Sequence, residues 1–170
     1  MARHLEYAFR LVHIKNIPHI LEVGFVLPTS SKASEKYISI GDNIVIAKRN
    51  TLPNNGDINL RQYIPFYFGP RSPMLYVIQK GYNGVTRYHP SELVYCIVRL
   101  SDIRNQDIEC AFTDGHAFSA ITKYYSKEDL NRIDDIVNRE DVYAQFWNAE
   151  DDLDLKRLKE AELLIKLFRI

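Results

Sequence analysis

Apolar side chains in this chain fall in short runs that turn-forming residues separate. Residues 5–14 alternate roughly between apolar and polar side chains, which predicts a β-strand. Residues 91–100 contain the run Leu-Val-Tyr-Cys-Ile-Val, which is typical of a central strand. Residues 109–112 and 118–121 are further predicted strands, and residues 161–165 are predicted to begin a closing strand. The pattern therefore predicts a sheet of several short strands.

Helical spacing is confined to short segments. Asn16 is a candidate N-cap of a short helix, because Pro18 is tolerated in a first turn and Gly24 favours a stop. Ser126 and Asp129 have the spacing of a capping box at the start of a second helix. The apolar residues expected to face the core are Ile17, Ile20 and Leu21 in the first helix, and Leu130, Ile133 and Val137 in the second.

The remaining segments are short or strongly polar. Residues 150–160 are heavily charged, with Leu155 and Leu158 three positions apart, which predicts an amphipathic helix with a solvated face. Residues 28–37 lack an apolar period and predict a loop, whereas residues 41–49 contain an apolar stretch too short to classify. Several strands with short helices, and no alternating βαβ units, predict an α+β fold.

The most distinctive stretch is residues 63–76, Tyr-Ile-Pro-Phe-Tyr-Phe-Gly-Pro-Arg-Ser-Pro-Met-Leu-Tyr. Its aromatic first part predicts a short strand near a sheet edge, because the proline inside it cannot donate to the ladder. A turn at Gly69-Pro70 is followed by residues 74–78, which predict a second buried strand. Arg71 and Ser72 in this turn could hold a phosphate or a carboxylate. A stiff strand connection with a solvated arginine explains the same residues.

The composition fits a single domain of 170 residues with an adequate core. Lysine plus arginine equals aspartate plus glutamate at 22 each, which argues against strong non-specific nucleic-acid binding but allows a local basic groove. Cys96 and Cys110 do not have a metal-ligand spacing, and a reducing cytoplasm is the expected location. No apolar run approaches the length of a membrane span. The eleven tyrosines suit a mixed sheet as well as a base-stacking surface.

Common motifs of catalysis are absent from the sequence. It contains no glycine-rich phosphate loop, no HExxH, no paired CxxC and no nucleophile elbow. The five histidines do not form a convincing metal set, so no metal site is predicted. Asp114 could pair with the imidazole of His116, although a turn explains Asp-Gly-His as well. A histidine at the end of a strand, such as His13, is without further context more often a core histidine whose hydrogen bonds are satisfied than a ligand-binding residue.

Glu162 lies within Ala-Glu-Leu-Leu-Ile, an apolar run with strand character. A carboxylate beside such a strand is costly to bury unless it has a partner. Two interpretations stand side by side: a paired functional carboxylate, or an exposed position on an edge strand. Arg49, which follows Val-Ile-Ala-Lys, raises the same question more weakly.

Five of these segments together resemble the DarT family of DNA ADP-ribosyltransferase toxins. The block at 63–76 is highly specific, and the order and spacing of the other segments fit over nearly the whole chain. The segments that carry the resemblance are residues 11–24, 63–76, 84–89, 113–117 and 159–165.

The resemblance implies an ADP-ribosyltransferase fold, with a split, mostly antiparallel β core that grips NAD and short helices around it. It implies transfer of ADP-ribose from NAD to a base in single-stranded DNA. Members act as toxins beside a macrodomain antitoxin, which is therefore the expected protein partner. Membrane association is not expected.

The family also implies roles for individual residues. The catalytic residues are expected to be Glu162 and Arg49. The residues expected to bind NAD are His13, Lys15, Asn16 and Arg49. The residues expected to face the DNA are Tyr67, Arg71, Ser72, Met74, Arg87 and His116. The segment 117–159 is the expected substrate-facing loop.

The sequence leaves alternatives open for the target base, for the C-terminus and for the activity. Thymine is the first choice of target base and guanine the second. The family continues past the glutamate with a further strand, whereas this sequence ends at Ile170, which predicts a domain that is short at its C-terminus. A catalytically silent module that binds NAD or nucleic acid would follow from that shortness. A transferase acting on protein or RNA is a third hypothesis.

Overall fold

Six strands form one sheet in the computed structural model, which describes residues 4–147 and 154–166. Every neighbouring pair among these strands runs antiparallel. The order across the sheet is β3-β1-β2-β6-β4-β5. The strands are β1 (Tyr7–His13), β2 (Ile64–Tyr67), β3 (Leu93–Arg99), β4 (Cys110–Thr113), β5 (Tyr124–Ser126) and β6 (Glu162–Ile165).

The sheet is split between β1 and β2. Within the described residues, these two strands share the single register pair Phe9 with Tyr67, whereas β1 pairs with β3 along all seven residues. On the other side of the split, β6 pairs with both β2 and β4. The predicted α+β class and the split antiparallel core are therefore confirmed.

Short helices surround the sheet. Five 3-10 turns accompany them within the described residues, at Ile14–Asn16, Leu60–Gln62, Tyr82–Gly84, Pro90–Glu92 and Lys127–Arg132. The α-helices are α1 (Ile17–Val23), α2 (Asn43–Thr51), α3 (Pro73–Lys80), α4 (Leu100–Asn105), α5 (Ile133–Ile136), α6 (Arg139–Tyr143) and α7 (Leu155–Lys159). No helix of the described residues is long and apolar enough to cross a membrane.

The second half of the 63–76 block is a helix, so the predicted strand at residues 74–78 is wrong. The Ser72 hydroxyl accepts a hydrogen bond from the Leu75 amide at 3.4 Å, and Pro73 occupies the first helical position of α3. Gly81 ends the helix in the left-handed conformation, with φ of 69°. The helix-start signal at Ser72 and Pro73 and the stop signal at Gly81 outweigh the β-propensity of the apolar run between them.

The first half of the block is the predicted strand, but it lies inside the sheet instead of near an edge. Pro65 in β2 faces the split, where the ladder to β1 is interrupted. Proline has no N–H to donate, but at this position no acceptor on a neighbouring strand is left without a partner. The Pro65 carbonyl accepts a hydrogen bond from Arg10 Nη1 at 2.8 Å. Gly69 then approaches α6 so closely that a Cβ would meet the Val142 carbonyl.

Two strand predictions need correction, and a third is confirmed as a strand. β3, predicted as central, is an edge strand, and its side chains are mostly half-buried because only β1 pairs with it. Residues 118–121 form turns, and the strand comes later, as β5. The predicted closing strand is β6, which lies between β2 and β4. A run of apolar residues indicates a strand but does not indicate where that strand inserts into the sheet.

The predicted helices exist with altered details. Asn16 precedes α1, but its amide side chain bonds both backbone groups of Ile38, at 2.9 and 2.8 Å, instead of capping the helix. Leu21, expected in the core, is 66% exposed, whereas Ile20 is buried. The capping box of Ser126 and Asp129 is present, although it opens a 3-10 turn before α5.

The structure describes only part of the charged segment 150–160. Residues 148–153 lie outside the described part, and α7 covers the rest. The prediction of a solvated helix fails at Lys159, which is 1% exposed and donates a hydrogen bond to the Val142 carbonyl at 3.1 Å. A buried ammonium needs such acceptors. The tail beyond residue 166 also lies outside the described residues.

Candidate active site

A cavity of about 510 Å³ opens where the sheet splits, which is within the usual range for ligand sites. Its walls come from β1, β2, α2, α3, the β4–β5 connection and the end of α7. Arg10, Arg49, Lys156 and Arg157 lie among the lining residues of the described chain. Asp42 and Glu160 also line the cavity, so the described part of its wall carries four basic and two acidic residues.

Glu162 is fully buried at the first position of β6. Its Oε1 accepts a hydrogen bond from the Ala117 amide at 3.0 Å, and its own amide donates to the Thr113 hydroxyl at 3.0 Å. Its Oε2 lies 2.9 Å from Arg49 Nη1. The interpretation as an exposed edge residue is therefore wrong, and the interpretation as a buried, paired carboxylate is confirmed.

Arg49 reaches Glu162 from the last turn of α2. This helix begins at Asp42, whose carboxylate accepts hydrogen bonds from the amides of Ile44 and Val45 at 2.8 and 3.4 Å. That cap could have identified the helix in a segment that the periodicity left unclassified. The Arg49 side chain is 13% exposed.

The contact between Arg49 and Glu162 leaves hydrogen-bonding capacity unused. Arg49 Nε and Nη2 are buried without a hydrogen-bond partner, and Glu162 Oε2 lacks one despite the short ionic contact. Burial is the largest single influence and disfavours the charged guanidinium, but the Glu162 carboxylate, together with Tyr67 and Tyr124, raises the pKa of Arg49. The pair is thus a charged couple with free donors and a free acceptor lone pair.

His116 also faces this couple. Its Nδ1 lies 3.9 Å from Glu162 Oε1 and accepts from the Phe118 amide at 3.4 Å. Burial lowers the pKa of His116, so the imidazole is neutral near pH 7. Asp114 does not pair with it and instead accepts from the Lys123 amide at 2.9 Å and from Arg157 Nη1 at 3.3 Å. The turn interpretation of Asp-Gly-His is therefore confirmed.

Two cavity residues were missed by the sequence analysis. Glu160 lines the cavity two positions before Glu162, and burial, together with the Glu162 carboxylate, raises the pKa of Glu160 to about 8. The sequence offered one indication of this: in an extended chain, residues two positions apart share a face, so Glu160 is expected on the same side as Glu162. The intervening Ala161, on the other side, is fully buried. Arg10, on β1, lines the cavity and has a buried Nε without a hydrogen-bond partner.

The residues expected to bind NAD, apart from Arg49, lie beyond the cavity lining at the end of β1. His13 is 2% exposed, its Nδ1 accepts from the Lys15 amide at 3.1 Å, and its Nε2 lies 3.7 Å from a Glu92 carboxylate oxygen. Asn16 holds the backbone of Ile38, which directly precedes lining residues 39–42. Asn16 is therefore connected to the cavity through this loop.

The residues expected to face DNA divide into two groups. Tyr67, Met74 and His116 line the cavity. Arg71 and Arg87 are exposed and lie outside the lining, and Ser72 is buried as the cap of α3. Of the expected substrate-facing segment 117–159, the lining includes Phe118, Lys156 and Arg157. Within the described residues, no group of three or more His, Cys, Asp or Glu side chains could hold a metal ion.

At the split of the antiparallel sheet, a buried carboxylate and an arginine are in contact beside the cavity. The family model "ssDNA thymidine ADP-ribosyltransferase, DarT" matches residues 9–168, so the chain belongs to the DarT family. The resemblance seen in the sequence is therefore confirmed.

Relatives and solved structures agree with this assignment. An Escherichia coli O127:H6 protein named "DNA ADP-ribosyl transferase" is 38% identical over 130 residues, which is 75% of this chain and 59% of the relative. A Thermosipho africanus protein, named as a fusion of DNA ADP-ribosyl transferase and DNA ADP-ribosyl glycohydrolase, is 30% identical over 92% of this chain and 38% of the relative. The chain thus spans less than two thirds of these relatives.

The structure of Thermus sp. 2.9 DarT in complex with ADP-ribosylated single-stranded DNA has a TM-score of 0.79 and 25% identity, and the match covers 98% of this chain and 79% of that chain. The complex of the same Thermus protein with NAD⁺, at 24% identity and a TM-score of 0.73, shows the same fold over 98% of this chain and 78% of that chain.

Proposed function

We propose that this chain transfers ADP-ribose from NAD to a base in single-stranded DNA, with thymine as the target. The observation that carries the proposal is the Arg49–Glu162 couple: Arg49 lines a cavity large enough for a dinucleotide's reactive half, and the buried Glu162 carboxylate contacts Arg49 from behind that wall. The family description, the names of the relatives and the DNA complex of the Thermus protein support the same activity.

The chemistry of the couple fits NAD. Unpartnered Arg49 Nε and Nη2 are suited to a diphosphate, which guanidinium groups bind in bidentate fashion. Glu162 Oε2, which has an unused lone pair, is suited to accept a hydrogen bond from a ribose hydroxyl. The alternative position of Arg49, beside the attacking base, uses the same free donors.

The reaction breaks the bond between the nicotinamide nitrogen and ribose C1′, so that nicotinamide leaves as a neutral molecule. It forms a bond from C1′ to a ring nitrogen of the base, and the proton of that nitrogen passes to solvent. Positive charge develops on the ribose as nicotinamide leaves, as in glycoside hydrolysis. A fixed carboxylate stabilises that charge, and the hydrogen bonds from Ala117 and to Thr113 hold Glu162 in place. We assign the catalytic role to Glu162 and the orienting role to Arg49.

The remaining residues are assigned by position. Tyr67, Met74 and His116 lie where an unpaired base entering the cavity meets its wall. Arg71 and Arg87 are exposed cations suited to the DNA backbone, and Ser72 fixes the helix start beside Arg71. His13, Lys15 and Asn16 are assigned to NAD through the loop that Asn16 holds.

A partner that removes the modification is the second part of the proposal. The Thermosipho relative carries a DNA ADP-ribosyl glycohydrolase in the same chain, which supports a toxin whose modification a glycohydrolase reverses. For this chain, we propose a separate macrodomain protein in that role. Co-expression that restores growth and removes the DNA adduct tests it, whereas persistent adducts would argue against the partner.

The activity is tested by incubating the chain with NAD and oligonucleotides of varied sequence and measuring DNA mass. A sequence-dependent gain of one ADP-ribose on thymine supports the proposal, whereas an adduct on guanine would change the base. Labelled protein or RNA with unmodified DNA would point to another acceptor, and NAD binding with no transfer would leave a silent module. Glu162→Gln tests the assigned carboxylate, and Glu22→Gln, at an exposed position of α1, is its control.

A further inference from the structure

Three aromatic side chains form a surface cluster outside the cavity, which we call the aromatic platform: Tyr76, Tyr82 and Trp147. The Tyr76 ring centroid lies 5.7 Å from that of Tyr82 and 5.6 Å from that of Trp147. Tyr76 is 40% and Tyr82 is 51% exposed, and Trp147 beside them is half-buried. The described residues of the three buried apolar clusters do not include these rings. Contiguous exposed aromatic groups of this kind mark binding surfaces more often than core packing.

We propose that the aromatic platform stacks on unpaired bases that flank the modified nucleotide, so that the protein binds a run of single-stranded DNA and not one base alone. This inference rests on the proposed function, because it takes DNA as the substrate. Stacking on aromatic side chains is how sequence-tolerant binding of single strands is achieved, since every base presents a π-face.

The platform is continuous with the cavity through α3. Met74 and Val77 line the cavity, while Tyr76 and Lys80, four positions apart, share another face of the same helix. Tyr82 directly precedes Asn83, which also lines the cavity. The two surfaces are therefore separated by about the 10 Å width of a helix, which suits consecutive parts of one strand.

The charge around the platform favours a nucleic acid. The exposed Lys80 ammonium lies 5.9 Å from the centre of the Tyr76 ring. The Lys159 ammonium lies 5.8 Å from the Trp147 ring, but it is buried and donates to a backbone carbonyl, so it supports the ring and is not available to a phosphate. Arg71 is exposed just before α3, and exposed Arg87 approaches Gly81 just after it. Cations at both ends of α3 can contact phosphates while the rings contact bases.

Trp147 is the only tryptophan of the 170 residues, so its fluorescence reports on the platform directly. We expect single-stranded oligonucleotides to quench this emission in the full chain and in Glu162→Gln, whereas thymidine monophosphate and duplex DNA do not. Absence of quenching by single strands at concentrations that support modification would overturn the proposal. Quenching without any modification would retain the platform and refute the proposed activity, so the two failures are distinguishable.

Substitutions define the role of the rings. Tyr76→Ala and Tyr82→Ala are expected to weaken binding of long oligonucleotides about tenfold, measured by fluorescence anisotropy. Tyr76→Phe keeps the aromatic face and is expected to retain affinity, and exposed Leu21→Ala on α1 is the surface control. Unchanged affinity in both alanine variants, with circular dichroism showing a folded chain, would assign the platform to a protein partner instead. If an alanine variant does not fold, Tyr76→Phe provides the test on its own. It keeps the ring and lacks only the hydroxyl, so a loss of affinity in this variant would contradict stacking.

Discussion

Arg49 and Glu162 meet at 2.9 Å although they belong to very different parts of the molecule. Arg49 is carried by α2, a helix in which no residue is buried, whereas Glu162 begins the strand between β2 and β4. The contact therefore joins a surface helix to the centre of the sheet. A ligand that binds Arg49 necessarily changes the electrostatic environment of Glu162.

Replacing Glu162 with glutamine is expected to lower ADP-ribose transfer by at least a hundredfold while NAD binding is largely kept. The amide has nearly the same shape but cannot stabilise positive charge on the ribose, and fixed electrostatic groups contribute about that factor. Transfer is measured by mass spectrometry of the oligonucleotide, and NAD binding by calorimetry. Unchanged transfer, with Glu22→Gln as reference, would remove Glu162 from its assigned role.

Replacing Arg49 with methionine is expected to destabilise the fold by about 3 kcal/mol, because it leaves a buried carboxylate without its cation. Chemical denaturation measures this free energy. The double variant Arg49→Met/Glu162→Gln is expected to recover most of the stability but no transfer. If the single variant unfolds at the same denaturant concentration as the original chain, the pair does not stabilise the fold.

Glu160 predicts a pH dependence of stability. Its pKa is raised from 4.5 to about 8 in the folded state, so between these values the folded chain binds one proton more than the unfolded chain. The free energy of unfolding therefore falls as pH rises through this window, by up to about 1.4 kcal/mol per unit. Denaturation at a series of pH values checks it. Glu160→Gln is expected to flatten the slope, and an equal slope in both proteins would contradict the assignment.

Replacing His13 with alanine is expected to weaken NAD binding about tenfold, the effect of losing one hydrogen bond near the ligand. Calorimetry with NAD measures the affinity, and thermal unfolding reports the separate structural cost of removing a side chain that is 2% exposed. The exposed His4→Ala is the control. Lower stability with unaltered NAD affinity would make His13 a core residue.

Local patterns in the sequence predicted local structure well. The alternation at residues 5–14 gave β1, and Ser126 and Asp129 gave a true capping box, because each depends on neighbours in the chain. The apolar run at 74–78 misled the strand prediction, since helix-capping residues decide its conformation. Strand order was not predictable by the same means: β3 has the composition of a central strand but occupies an edge.

The site was predictable only in part. Glu162 and Arg49 were identified through resemblance, whereas their contact depends on α2, which the apolar period did not reveal. Arg10 was missed because an arginine within an alternating strand ordinarily indicates the solvent face, and here that face borders the cavity. Glu160 was missed because its surroundings come from distant elements, which set burial and therefore the pKa.

The position of β6 has a consequence for how the protein is made. Residues 64–67 of β2 and 110–112 of β4 both pair with β6, so β2 and β4 cannot be joined in one sheet until β6 has been synthesised. Contacts of such long sequence separation slow folding. Because Glu162 is the first residue of β6, the chain cannot assemble its active site before residues 162–165 have left the ribosome.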